Sequence, residues 1–224
     1  LKELNYNCEN SHEEIAARLE DKNIGWAYAD QSIFNPKLHN LMNLRKKIIK
    51  RPVITTVEVL VKPISSKHDA FFTGFVHKPY PPIYLELSRN AEFHSASVVR
   101  GTEGGIIPSL RQMGKVHYYD APSQENKMYE VKPEDLQIND ESRAVDIPES
   151  IVRKDTKDKI ESKVSATDIA KATVKSGQEA LSGKDGAMKS CIQLGASIIL
   201  QRMTGNDILK CSKEVSKVID SGSA

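Results

Sequence analysis

The 224 residues predict an α/β protein with a central mixed, mostly parallel sheet flanked by helices. Three observations carry that expectation. Helix-like and strand-like segments alternate as far as Val131. An apolar run at 96–100 breaks into Arg100-Gly-Thr-Glu-Gly-Gly105, the pattern of a buried strand entering a tight turn. The last third has helical periodicity throughout.

The elements follow in order. Ser11 and Glu14 form a capping box that opens a helix with Ile15 and Leu19 on one face. Residues 24–29 alternate and are aromatic, so they predict a strand. Asn35 and Pro36 start a helix expected to run to residue 50, where Pro52 stops it. A shorter helix is expected over 55–62. A strand follows over 71–77, and a proline-rich turn at 78–82 launches a helix through Ile83, Leu85 and Leu87. Residues 115–119 and 127–131 read as a strand pair around Ala121, Pro122 and Ser123. Residues 132–163 are charged and poor in large apolar groups, the pattern of a connection. Helices are predicted over 167–181, 186–203 and 206–219. The whole of 1–224 is expected to form one α/β domain, within which the helical segment 34–63 packs toward a helical domain expected to precede Leu1.

Composition excludes several classes. Apolar residues make up 39% and charged residues 28%, which rules out a wholly disordered or collagen-like chain. No apolar run is long enough for a bilayer-spanning helix, so no membrane partner is expected. The net charge is only +2, so partners must be read from local clustering. The three cysteines are odd in number and far apart, which fits reduced thiols in a cytoplasmic protein. The chain opens at Leu1 without a leader pattern and reads as an internal piece of a longer polypeptide.

Two constellations could carry chemistry. On the helical wheel of 35–50, Leu38, Leu41, Met42, Ile48 and Ile49 form a stripe with Arg45 in its middle. An arginine there is either paired with a carboxylate or holds an anion. Lys46, Lys47 and Lys50 lie on the opposite face. Within 37–67, eight Lys and Arg residues face Glu58 alone. That excess is either a solvated face or a patch for a polyanion backbone, with Arg51, Arg100 and Arg111 extending it. The second constellation is the turn of Arg100, Gly101, Thr102, Glu103 and Gly104. Glycines let backbone amides approach a phosphate, but a tight turn without ligand needs them equally. The six histidines show no metal-ligand spacing, so zinc is not expected. Gly-x-Ser-x-Gly is absent, which leaves hydrolase chemistry without support.

Along nearly its whole length the sequence resembles the anthranilate phosphoribosyltransferase family. The likeness is carried by Phe34-Asn-Pro-Lys-Leu38, Leu44-Arg-Lys-Lys-Ile48, the stretch from Arg51 to Pro63, Gly74-Phe-Val-His-Lys-Pro79 and the closing helices from residue 186. The resemblance implies a phosphoribosyltransferase-like fold. It also implies that Arg45 matches an arginine contacting the aromatic acid, and that the family's diphosphate-binding loops precede Leu1. Two departures stand out. Ile106 and Ile107 occupy the positions of the family's magnesium-binding acids, and Thr55 replaces an asparagine. Arg100-Gly-Thr-Glu-Gly104 resembles a paralogous branch with degenerate active sites, whose members bind nucleic acid without sequence preference as homodimers. The expectation is therefore a non-catalytic or weakly catalytic nucleic-acid-binding protein that needs no cofactor. The alternative is a glycosyl- or phosphoribosyltransferase for an aromatic acid-like acceptor, in which case magnesium is required.

Overall fold

The computed structural model describes residues 1–8, 10–48, 53–140, 142–152 and 164–223, with backbone only at Lys46 and Glu103. In chain order these hold α1 (His12–Glu20), α2 (Gln31–Phe34), α3 (Pro36–His39), α4 (Met42–Lys47), α5 (Ile54–Val57), β1 (Ala70–Gly74) and α6 (Tyr80–Asn90). Then come β2 (Ser95–Val99), β3 (Gly114–Tyr119), β4 (Lys127–Val131), α7 (Ala166–Leu181), α8 (Ala187–Thr204) and α9 (Ile208–Asp220). No helix among the described residues is long and apolar enough to cross a membrane.

The four strands form one mixed sheet in the order β1-β2-β3-β4. The Asp69 carbonyl accepts from His94 N–H at the starting ends of β1 and β2, and the Val99 carbonyl accepts from Phe75 N–H at their far ends. Those two strands therefore run parallel, joined by α6 as the crossover. β3 and β4 pair antiparallel, with Gly114 opposite Val131 and Tyr118 opposite Lys127, as the strand pair at 115–131 predicted.

Two compact units can be described separately. The first comprises Leu1–Phe71, Pro82–Ala96 and Tyr119–Glu125. Its α1 starts on the expected capping box: Glu14 N–H donates to Ser11 Oγ at 3.2 Å, and Ser11 N–H donates to Glu14 Oε2 at 2.6 Å. Its buried apolar groups include Ile15, Leu60, Phe71, Tyr84, Leu85 and Phe93. Tyr119 is fully buried; its hydroxyl donates to the Phe93 carbonyl at 3.0 Å and has Ser88 Oγ at 3.1 Å.

Three expectations are corrected in this unit. Residues 24–29 form no strand, because Gly25 sits at φ +66° and breaks an extended run. Trp26 instead stacks on Tyr6 at 5.0 Å, with the Arg18 guanidinium over both rings. The single helix expected over 35–50 is two short ones among the described residues, α3 and α4. Asn35 caps α3 by accepting from Leu38 N–H, as Asn35 and Pro36 predicted, and the break falls at Asn40 and Leu41 between α3 and α4. Leu41 and Ile48 of the apolar stripe are exposed, as is Leu44, so among the described residues these side chains gain little burial that would reward one continuous helix; Ile49 lies outside the described residues. The helix expected over 55–62 is reduced to α5 and the 3-10 turn Glu58–Leu60.

The second unit comprises Phe72–Pro81, Ser97–Tyr118 and Asn126–Ala224. Its core joins Val99, Leu110, Val116, Val131, Leu136 and Ile138 to Cys191, Leu194 and Ile198 of α8. Each such side chain contributes roughly 1.5–3 kcal/mol by leaving water. Helices α7 and α9 begin on side-chain caps from Ser165 and Asp207. α8 begins at Gly186 and ends at Gly205, which sits at φ +71°.

Candidate functional site

In an open α/β sheet, ligands gather where parallel strands end. Here that place lies in the second unit, where Gly74 closes β1 and Val99 closes β2. The loop after β2 rises into a 3-10 turn, Thr102–Gly104. A Cβ added at Gly74 would fall on the carbonyls of Gly104 and Gly105, and one added at Gly101 would fall on the Gly105 carbonyl. Gly104 has φ +87°, which suits glycine. The glycines thus let two backbone segments cross at contact distance.

That crossing uses up the loop's amides. Gly101 N–H donates to Val99 O, Thr102 N–H to Ile107 O, Gly104 N–H to Gly101 O and Gly105 N–H to Thr102 O. These four are not presented as a cradle for phosphate, so recognition of an anion falls to side chains. Arg100 and Lys78 are exposed there, and His77 packs near Tyr80. His117 lies edge-on to Phe75; burial, then the charge of Lys115, pushes its pKa below the ordinary histidine value. Arg111 is also exposed, but it lines a separate cavity of about 520 Å³ with Glu134 and Asp140.

Ile106 and Ile107 stand in this loop where the resemblance places magnesium-binding acids. Ile107 turns inward against the core and Ile106 offers no oxygen. No group of three or more His, Cys, Asp or Glu positioned for a metal occurs among the described residues. The side chain of Glu103 lies outside the description.

In the first unit, Arg45 donates through Nη1 to Glu58 Oε2 at 2.5 Å, with Met42 Sδ at 3.7 Å. The two side chains are only 25% and 16% exposed, so this is the carboxylate pairing that an arginine in an apolar stripe needs. Lys47 is exposed on α4. The side chain of Lys46, and Lys50 and Arg51 altogether, lie outside the described residues.

A polar cleft of about 910 Å³ between α8 and α9 gave no signal in the sequence. Lys189 donates there to Asp185 at 2.8 Å, to Asp220 at 2.6 Å and to the Gly183 carbonyl at 3.2 Å. Its pKa rises because it donates hydrogen bonds to these carboxylates. All three cysteines are buried free thiols, and burial pushes Cys191 up, which keeps it unreactive.

No family model matches the chain. An uncharacterised protein of Aquifex aeolicus (strain VF5) is 33% identical over 82 residues, covering 37% of this chain and 26% of that protein. Among solved structures, the Saccharomyces cerevisiae anthranilate phosphoribosyltransferase in complex with PRPP and Mg aligns with TM-score 0.70 at 15% identity. The match covers 96% of this chain and 55% of that one. The same enzyme in complex with 4-fluoroanthranilate aligns with TM-score 0.67 at 16% identity, over 91% and 53%. The chain therefore has the anthranilate phosphoribosyltransferase fold and spans about half the length of those structures.

Proposed function

We propose that this chain is the acceptor-side portion of a phosphoribosyltransferase-like protein whose ligand bears phosphate. On this reading the protein is a glycosyl- or phosphoribosyltransferase for an aromatic acid-like acceptor, and its diphosphate-binding loops lie outside this chain. The observation that carries it is the fold, matched over nearly the whole chain to an enzyme solved with phosphoribosyl diphosphate. A fold alone does not fix activity, so the exposed cations beside the strand ends supply the second support. Arg100 and Lys78 attract the anionic part of the ligand, and Gly101, Thr102 and Gly104 shape the loop that positions Arg100.

A second reading is favoured by Ile106 and Ile107, which cannot neutralise a leaving diphosphate through a metal. The protein is then a non-catalytic homodimer that binds nucleic-acid backbone without sequence preference through Lys46, Lys47, Lys50, Arg51, Arg100 and Arg111. One experiment separates the two. The full-length protein is given phosphoribosyl diphosphate, magnesium and aromatic acids, and diphosphate release is followed. Acceptor-dependent release at enzymatic rates supports the transferase. No release, together with binding of unrelated DNA sequences whose log affinity falls against log salt with slope about −3 to −4, supports the second reading. Neither release nor binding would refute both.

A further inference from the structure

The geometry points to a two-histidine clamp for a late first-row divalent cation, formed by His68 and His94 in the first unit. They are 26 positions apart in sequence, and the parallel β1–β2 pairing brings them together at the starting ends of the strands. Their ring centroids are 4.9 Å apart with planes at 69°, and both residues are exposed.

That spacing matches the one a shared ion would impose. With a metal–nitrogen bond of about 2.1 Å, an ion lies roughly 3.2 Å from each ring centroid. Two imidazoles at right angles about the ion, as in tetragonal copper, then have centroids about 4.5 Å apart, and at the tetrahedral angle of zinc about 5.2 Å. The observed separation of 4.9 Å falls between these values.

The frame beneath the rings is fixed before any ion arrives. His94 N–H donates to the Asp69 carbonyl at 2.9 Å, which ties the backbone of one histidine beside the neighbour of the other. Asp69 in turn accepts from Ser66 N–H at 2.8 Å, from Ser66 Oγ at 2.7 Å and from Lys62 at 2.9 Å. His68 N–H donates to Ser66 Oγ at 3.3 Å. The Lys62 ammonium is neutralised by Asp69 and accepted by the Glu92 carbonyl, so its charge opposes a cation only weakly. Asp69 is occupied in holding this turn, which leaves water to complete the coordination. Neutral imidazoles without carboxylate or thiolate select copper, nickel or zinc over magnesium or calcium.

Calorimetric titration of the full chain with Ni²⁺, Cu²⁺ and Zn²⁺ tests the site. One ion per chain should bind, copper most tightly. His68→Ala and His94→Ala should each weaken it by about tenfold or more, and the double substitution should add little, because a clamp with one arm is already lost. His12→Ala, which removes an exposed histidine on α1, should change nothing. Electron paramagnetic resonance of the copper form should show two equatorial nitrogens. No saturable binding below about 1 mM, or a site that survives both single substitutions, would overturn the proposal and leave the rings packed edge to face for their own sake.

Discussion

Helix α8 and the stretch from residue 31 to residue 60 contain comparable apolar signals, yet they fold in opposite ways. α8 runs unbroken from Ala187 to Thr204 and buries Cys191, Leu194 and Ile198. The other stretch divides into α2, α3, α4 and α5, none longer than six residues, and exposes Leu41, Leu44, Ile48, Val53 and Val57. The difference is the partner surface. α8 meets Val99, Leu110 and Val116, whereas among the described residues Leu41 and Ile48 of the stripe around Arg45 stay exposed. An amphipathic pattern supplies a face, and length is earned only where another element covers that face.

The largest expected effect attacks the buried side of this contrast. Leu194→Ala should destabilise the chain by about 2–5 kcal/mol, whereas Leu44→Ala, at a position 57% exposed, should stay within about 0.5 kcal/mol. Urea unfolding followed by circular dichroism measures both. Comparable costs at the two sites would break the comparison and show that Leu44 is covered in solution.

Next comes the polar tie in the broken stretch. Glu58→Gln removes the charge from the Arg45 partner while keeping the shape. Because the pair is only partly exposed, a loss of about 1–2 kcal/mol is expected, between the surface and the buried limits. A loss that vanishes at high salt would move the pair to the surface class.

Caps sharpen the contrast at a smaller scale. Ser165 accepts from Asp168 N–H at 3.1 Å at the start of α7, and Ser165→Ala should cost about 1 kcal/mol. Asn35→Ala removes the same kind of bond from the four-residue α3 and should cost less, because so short a helix has little to propagate. Thermal unfolding of the two variants orders them.

The smallest effect is acid dependence. Partial burial raises the pKa of Asp69, but hydrogen bonds from Lys62 and Ser66 outweigh it and hold the carboxyl below its ordinary value. Asp30 is lowered by the Ser32 hydroxyl and amide. A lowered folded pKa gives stability that is present above the unfolded value and lost as pH falls through the folded one. Stability should therefore decline below about pH 4, and Asp69→Asn should flatten that decline. Unfolding titrations between neutral and acid pH read the slope.

The sequence by itself determined the features that a few neighbouring residues can enforce. The capping box of Ser11 and Glu14, the start of α3 at Asn35 and Pro36, the β3–β4 pairing and the course of the last three helices all depend on bonds spanning four residues or on strong periodicity. The position of the glycine loop was legible too, though not its use: only the structure shows that the Gly104 and Gly105 carbonyls lie against Gly74, and the Gly105 carbonyl against Gly101, where a side chain would clash. The tertiary structure alone decided that Glu58 partners Arg45, thirteen residues away, and that Lys189 bridges Asp185 and Asp220. It also decided that His68 meets His94. Such pairs leave no local trace, because the chain between them must close a loop before their atoms can interact, and the packing of whole elements chooses which loops close.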